Sequence, residues 1–175
     1  TRHLTLSVNV SARQFHQPDF VAHVLGILDR TGANPHHLKL ELTESVLLDD
    51  VAEIIVKMTE LKGRGVCFSI DDFGTGYSSL AYLKRLPLDE LKIDRSFIND
   101  VLTDPNDASI VKAILVLARS LSLNVVAEGV ETLEQSRFLS QHGCRLFQGY
   151  LFGKPAPVQA WSLRPSYESE AIGGQ

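Results

Sequence analysis

The chain has 175 residues, of which 44% are hydrophobic, and its formal net charge at pH 7 is −4. This length is typical of one globular domain, and the lack of a basic excess argues against a nucleic-acid polymer as partner. No apolar run is long enough to span a bilayer and no secretion signal opens the chain, so we expect a cytoplasmic location, with membrane anchoring only through other domains of a parent protein.

Strand and helix signals alternate along the whole chain at intervals of roughly 20–35 residues, which is typical of right-handed βαβ units and a parallel sheet. We predict six strands: Leu4–Val10, Leu38–Leu42, Val66–Ile70, Glu90–Ile93, Asn124–Ala127 and Arg145–Leu151. Between them we predict five helices: Pro18–Arg30, Asp49–Lys62, one from the capping residue Ser78 to about Leu86, Asp107–Ser120 and Glu131–Gln141.

Each predicted strand alternates apolar and polar side chains. In one of them Val66, Phe68 and Ile70 oppose Ser69 and Asp71. Parallel strands with helices on both faces are normally apolar throughout, whereas a closed barrel turns one strand face toward its axis. We therefore predict an α/β fold, a modified (β/α)8 TIM-like barrel with about six βα units and its first two strands missing from this chain. An open doubly wound sheet is the alternative.

Polar side chains stand at the carboxyl end of strand after strand, where a barrel has its mouth. Carboxylate and amide oxygens suit Mg²⁺ or Mn²⁺ rather than Zn²⁺, and adjacent aspartates can serve two ions that clamp a phosphate. Each of these residues could instead have a purely structural role, as a turn residue, a helix cap or an ion-pair partner. The set is Asn9, Glu41, Asp71, Asp72, Lys92, Asp94, Glu128 and Gln148.

Two adjacent aspartates close the third predicted strand, and a glycine-containing segment follows at once. At ~4 Å and an effective dielectric near 20, two such charges repel by about 4 kcal/mol, so exposure to water or a bound cation must offset the repulsion. Gly74 and Gly76 allow backbone conformations closed to other residues, and such a loop can approach a phosphate or move over a site. The DFG triplet also occurs in protein kinases, but the other kinase motifs are absent from this sequence.

Six stretches, in order and across nearly the whole chain, resemble EAL domains, the bacterial phosphodiesterases that hydrolyse cyclic di-GMP to linear pGpG. They are NVSARQF (9–15), LELTES (40–45), IDDFGTGYSSL (70–80), LKIDRSFI (91–98), VVAEGVET (125–132) and FQGYLFGKP (147–155). The resemblance implies two divalent ions, Mg²⁺ or Mn²⁺, at one site. It implies an EAL domain over residues 1–165, followed by a polar tail or linker at 166–175.

The resemblance also implies a role for each strand-end residue. Asn9, Glu41 and Asp71 would be ligands of one metal, with Asp71 bridging to a second ion that Asp72 holds. Glu128 would join the metal shell and help to hold or activate the attacking water. In the same set, Lys92 would contact that water and Gln148 would orient it.

Outside the metal shell, the resemblance implies that Glu44 anchors the glycine loop, residues 73–79, and that this loop couples dimerisation to the metal site. The loop consists of Phe73, Gly74, Thr75, Gly76, Tyr77, Ser78 and Ser79. Asp94 and the segment Gly153, Lys154 and Pro155 would lie near the nucleotide. The expected partners are cyclic di-GMP, a second copy of the chain, and sensory or GGDEF domains.

The sequence departs from the family at one point, because the Glu-Ala-Leu segment that names it and a nearby arginine are absent. Thr1 is not a natural start, so we expect a fragment of a longer protein that supplies this metal ligand and phosphate contact. Two hypotheses besides the phosphodiesterase stay open at this point. One is an EAL-type receptor that binds cyclic di-GMP without hydrolysing it, and the other is a barrel hydrolase of a different phosphodiester.

Overall fold

The structure is a computed structural model that describes residues 4–48, 50–76 and 80–157. Each strand is followed by helical structure before the next strand begins. The described strands are β1 (Leu6–Val10), β2 (Leu38–Thr43), β3 (Cys67–Phe73), β4 (Glu90–Ile93), β5 (Asn124–Ala127) and β6 (Leu146–Phe147). The described α-helices are α1 (Ala12–Phe15), α2 (Phe20–Thr31), α3 (Val51–Gly63), α4 (Leu80–Leu83), α5 (Arg95–Asn99), α6 (Pro105–Ser120) and α7 (Leu133–Gln141), with 3₁₀ turns at Pro35–His37 and Glu44–Leu48.

The six described strands form one sheet in the order β1-β2-β3-β4-β5-β6, and all five strand pairs are parallel. Consecutive strands are therefore neighbours, as in a TIM-like barrel. A doubly wound sheet reverses its strand order at a switch point, and this sheet does not. The predicted α/β fold with about six βα units is confirmed. That two further strands precede them stays a prediction.

The outer face of the sheet forms the core with the helices. Phe68, Ile70, Leu91 and Ile93 are fully buried and belong to one cluster with helix residues such as Met58. These are the positions that the alternating pattern assigned to the apolar face, so the side-chain directions follow from the two-residue period of a strand. Polar residues occupy the opposite face of the same strands.

The first strand departs from this pattern. Leu6 and Val8 are 66% and 38% exposed, although we expected the apolar face of every strand to meet helices. They line an apolar groove of about 520 Å³ between β1 and α2, with Val24 and Ile27 on the helix side. Strand β1 lies at one edge of the described sheet, and only Val10, near its carboxyl end, is buried.

Several predicted boundaries were wrong. The last strand is Leu146–Phe147 rather than Arg145–Leu151, because the chain turns after it. The last helix begins at Leu133 because Thr132 is its N-cap, so Glu131 lies before the helix. The helix predicted from Ser78 to about Leu86 is α4, which is only Leu80–Leu83 in the described residues, and its predicted cap Ser78 lies outside them. Asp104 caps α6, which begins two residues before the predicted start.

Within the described ranges, no helix has the length and apolar character needed to cross a membrane. The proposed tail at 166–175 and the end of the predicted domain lie outside the described residues. The division of the chain at residue 165 stays a prediction.

Candidate active site

The side chain of Lys92 is the centre of the polar cluster on the inner face of the sheet. Its Nζ lies 2.7 Å from a Glu41 oxygen, 3.0 Å from an Asp71 oxygen and 2.7 Å from a Glu128 oxygen. Lys92 is only 4% exposed, so one buried cation contacts three carboxylates from three other strands or strand ends. The structure brings together four of the predicted site residues in this cluster.

Three carboxylates offer oxygen atoms to one point in space. Ligand atoms of Asp71, Asp72 and Glu128 all lie within 4.8 Å of one another. This all-oxygen donor set fits a hard divalent cation, since such ions prefer carboxylates and carbonyls to nitrogen or sulfur ligands. Glu41 borders the same cluster through Lys92. The chemistry of these residues therefore fits the predicted Mg²⁺ or Mn²⁺ site.

Successive residues of a regular strand point to opposite faces, but oxygens of Asp71 and Asp72 lie within 4.8 Å of each other because β3 is irregular at this point. The register between β3 and β4 shifts between Ile70 and Phe73, and Asp72 has a φ of 54°. A bulge of this kind re-aims side chains at the end of a strand, and a positive φ is uncommon outside glycine. Asp71 is thereby half-buried beside Lys92, while Asp72 is exposed.

The pKa values of Lys92 and Glu128, which form an ion pair, are set by their burial and by neighbouring charges. Burial alone lowers the pKa of Lys92, but hydrogen bonds to Glu128 and Glu41 outweigh it and raise the pKa above the usual lysine value. Burial raises the pKa of Glu128, the Lys92 ammonium opposes this, and the charges of Asp71 and Glu41 add to the rise. Glu128 is therefore a better proton acceptor than an exposed glutamate, because its carboxylate holds a proton more tightly.

Asp72 and Asp94 act as a second pair. Burial and the neighbouring Asp71 charge raise the pKa of Asp72. Burial raises the pKa of Asp94 too, but hydrogen bonds from the hydroxyl and amide of Ser96 outweigh it and lower the pKa. The interaction between the two carboxyls adds to the rise in the pKa of Asp72 and to the fall in the pKa of Asp94. Asp94 also caps α5 by accepting from the Ser96 amide at 2.9 Å, which is one of the ordinary roles open to a residue of this set.

The two amides of the predicted set stand at the sheet edges. Asn9 is opposite Glu41 in the β1–β2 register and is exposed. Gln148 follows β6 and lines a cavity of about 240 Å³ beside Glu128. The backbone carbonyl of Gln148 accepts a hydrogen bond from the Val130 amide at 3.0 Å, so the chain segments after β5 and β6 remain paired beyond the regular strands.

That cavity contains functional groups that the sequence analysis did not select. Arg95, Asn99, Glu131 and Tyr150 line it together with Glu128 and Gln148. Arg95 is the residue after Asp94, and Tyr150 is two residues after Gln148. Their positions immediately after the strand ends were the signal available in the sequence.

The glycine loop contacts Glu44. Glu44 is 6% exposed, and its Oε2 accepts hydrogen bonds from the amides of Gly74 at 3.2 Å and Gly76 at 3.1 Å. The predicted pairing of this glutamate with the loop is therefore present in the described part. Phe73 is buried and Thr75 is exposed. Tyr77, Ser78 and Ser79 lie outside the described residues.

The predicted nucleotide segment Gly153, Lys154 and Pro155 is exposed and has no regular secondary structure. The Lys154 ammonium lies 5.1 Å from the centre of the Tyr150 ring, within the range of a cation–π contact. This contact places Lys154 near a residue of the cavity beside Glu128. Proximity to a nucleotide stays a prediction for the whole segment.

The EAL domain family profile matches residues 1–155 of this chain. The bifunctional diguanylate cyclase/cyclic di-GMP phosphodiesterase MucR of Pseudomonas aeruginosa is 51% identical over 154 residues, which are 88% of this chain and 22% of MucR. The cyclic di-GMP phosphodiesterase NbdA of the same organism is 47% identical over 157 residues, 90% of this chain and 20% of NbdA. The chain thus spans less than a quarter of the length of these curated relatives.

Solved structures agree with this similarity. The MucR phosphodiesterase in complex with c-di-GMP matches 89% of this chain and 63% of its own, with a TM-score of 0.85 and 51% identity. The BlrP1 complex of Klebsiella pneumoniae with manganese and c-di-GMP matches 87% of this chain and 39% of its own, with a TM-score of 0.79 and 34% identity.

Proposed function

The chain belongs to the EAL domain family, and from this premise we propose that it is part of a metal-dependent phosphodiesterase that hydrolyses cyclic di-GMP to linear pGpG. Relatives named as cyclic di-GMP phosphodiesterases support the reaction class. The observation that carries the proposal is the cluster of Asp71, Asp72 and Glu128, of which Asp71 and Glu128 contact the buried Lys92 ammonium. Oxygen ligands and a nearby cation are what the hydrolysis of an anionic phosphodiester requires.

The metal shell in this proposal consists of Asp71, Asp72 and Glu128 with Asn9 and Glu41. BlrP1, a structural neighbour, has been solved with manganese and with calcium in complexes with c-di-GMP, which supports divalent ions at this site. Bound there, two divalent cations would polarise the phosphodiester and acidify a water molecule. The preferred ions are Mg²⁺ or Mn²⁺, two per site.

The residues of this chain have separate roles in the reaction. Glu128 accepts the proton of the attacking water while the water oxygen forms a bond to phosphorus and the P–O3′ bond breaks. The leaving 3′ oxygen takes up a proton from solvent and becomes the free 3′ hydroxyl of the product. Lys92 keeps the surrounding carboxylates charged and offsets the negative charge that develops on the phosphorus oxygens. Gln148 orients the water from the edge of the same mouth.

Substrate and assembly follow from the same proposal. Asp94 and the exposed segment Gly153–Pro155 contact the nucleotide, and the ammonium of Lys154 suits its phosphate. The protein works as a homodimer in the cytoplasm, in a parent chain with sensory or GGDEF domains. The glycine loop that Glu44 holds would transmit dimerisation to the metal site.

Product analysis by chromatography tests the function. The purified protein is incubated with cyclic di-GMP and Mg²⁺ or Mn²⁺, and D71N serves as a nearly isosteric control that removes one ligand charge. We expect linear pGpG from the wild type and at least about 100-fold less from D71N, with an unchanged circular dichroism spectrum. Wild-type turnover by D71N would contradict the metal assignment. Tight binding without product would instead identify a cyclic di-GMP receptor.

A further inference from the structure

We propose that Gln135 is a positioning residue that clamps the loop carrying Glu128 onto helix α5, and so fixes Glu128 relative to Lys92. This inference rests on the proposed function for its catalytic consequence, but its structural part does not. The loop in question is residues 128–132, between β5 and α7. Helix α5 follows β4, the strand that carries Lys92.

The side chain of Gln135 is 6% exposed and uses both of its polar atoms. Its Oε1 accepts hydrogen bonds from the amides of Glu131 at 2.8 Å and Thr132 at 3.0 Å. Its Nε2 donates to the carbonyl of Ile98 at 3.1 Å and to that of Asn99 at 3.4 Å. One amide group therefore connects the end of the 128–132 loop to the last turn of α5.

The carbonyls at a helix C-terminus lack intrahelical partners, so a buried donor that reaches them replaces water. Gln135, in α7, is such a donor for the last carbonyls of α5, although it lies 37 residues after Ile98 and 36 residues after Asn99 in the sequence. The Ile98 carbonyl also accepts from the Asp100 amide, so the loss of the Gln135 donor would remove one of its bonds and the side-chain bond to Asn99.

A second contact joins the other end of the loop to the same helix. Gly129 has a φ of +70°, and a Cβ built there would lie 2.6 Å from the Cβ of Arg95, the first residue of α5. The Glu128 amide donates to the carbonyl of Ile93 at 3.2 Å. The loop is therefore bound to the β4–α5 segment near both of its ends, and Glu128, at the first of these attachments, contacts Lys92.

Helix capping alone does not account for this arrangement. Gln135 and Thr132 form a capping box at the start of α7, and Gln14 and Ser11 form the same box at the start of α1. Gln14 is exposed, and within the described residues its amide nitrogen donates no hydrogen bond to another element. Both glutamines therefore belong to a capping box, but in the described part of the chain only Gln135 also donates to another helix. We call its bonds to the Ile98 and Asn99 carbonyls the bridge. Gln14, which has the cap without the bridge, is a matched control.

The decisive substitution is Gln135→Glu. Glutamate is an equally common capping-box residue, so it retains the acceptor for the two loop amides. An ionised carboxylate has no hydrogen to donate and faces the two α5 carbonyls with a negative charge. Q135E therefore removes the bridge and leaves the cap, whereas Q14E leaves both helices capped. T132A removes the hydroxyl of the cap and leaves the bridge.

Hydrogen exchange and steady-state kinetics are measured on the purified protein above neutral pH. We expect Q135E to raise amide exchange in residues 128–132 and 95–99 by about tenfold, and to lower kcat by about 10- to 100-fold with KM within about twofold. Q14E should change none of these quantities. T132A should lower the thermal midpoint and leave kcat within about twofold.

Wild-type exchange in both segments of Q135E would overturn the bridge. A kcat loss in T132A equal to that in Q135E would also overturn it, since capping would then explain the effect. If Q135E does not fold, T132A alone decides: a kcat loss of about tenfold or more in T132A would overturn the bridge, because capping would then explain the effect. If the wild type has no hydrolytic activity, the proposed function fails, and hydrogen exchange alone decides whether Gln135 clamps the loop.

Discussion

Replacement of Lys92 by methionine tests the electrostatic reasoning about the inner face of the sheet. Methionine retains much of the length of the lysine stem and removes the ammonium. In the wild type this ammonium lies 2.7 to 3.0 Å from oxygens of Glu41, Asp71 and Glu128. K92M leaves these carboxylates on the inner face without their shared cation.

The magnitude follows from the geometry. At 2.7 Å and an effective dielectric near 20, one ion pair is worth about 6 kcal/mol before desolvation is subtracted. Removal of one partner of a buried pair typically costs ~3–5 kcal/mol, because the remaining charge keeps its desolvation penalty. We expect the free energy of unfolding of K92M to fall by about this amount in the absence of divalent ions. The corresponding change in the urea midpoint is about 2 M.

The decrease in the free energy of unfolding of K92M should be larger at high pH than at low pH. Burial already raises the pKa of Glu128, and without Lys92 the folded-state pKa should rise further above the unfolded value of about 4.3. Such a group costs stability at pH values above its folded pKa. The cost disappears below the unfolded pKa, where both states are protonated. The difference between K92M and wild type should therefore be large at pH 8 and smaller at pH 5.

Urea denaturation followed by circular dichroism, with EDTA present, measures this at both pH values. Lys84 is an exposed lysine without an ion pair in the described part of the chain, so K84M is the matched control. We expect K84M to stay within about 0.5 kcal/mol of wild type. Equal midpoints for K92M and K84M at pH 8 would refute the reasoning, as would a K92M deficit that does not narrow at pH 5.

Three further changes test other parts of the structure. Glu44→Ala removes the acceptor for two glycine-loop amides, so their hydrogen exchange should accelerate and hydrolysis should fall; unchanged exchange would remove the anchor role. Gly129→Ala forces a side chain against Arg95, and we expect a loss of at least about 1 kcal/mol in urea unfolding. Gly63→Ala, with open space around it, should lose nothing, and equal losses would contradict the packing argument. Phe68→Ala empties a fully buried site and should cost about 3–5 kcal/mol by the same method; a loss below about 1 kcal/mol would place Phe68 outside the core.

The repeating pattern of the sequence was sufficient for much of the fold. Alternation in stretches such as Val66–Ile70 predicted which side chains point inward, because successive residues of a strand face opposite sides. The regular return of strand and helix signals predicted parallel neighbours in chain order, and the sheet confirms both. Family membership was predicted from six motifs and is confirmed by the match over residues 1–155.

Element boundaries were less predictable, because capping and turns decide them locally. The last helix begins at Leu133 since Thr132 supplies the cap. Exposure of Leu6 and Val8 was not predictable either, since an alternating strand has the same pattern whether or not a helix covers its apolar face.

The sequence by itself determined that carboxylates and amides would stand at the strand ends, since position along a strand sets the direction of each side chain. Only the tertiary structure decided which of them meet. The register of the strands and the irregularity in β3 bring Asp71 and Glu128 to Lys92, and they bring an oxygen of Asp72 within 4.8 Å of both carboxylates. Gln135 had no recognisable signal beyond its capping box, because its second set of partners lies 36 and 37 residues away and only packing makes them neighbours.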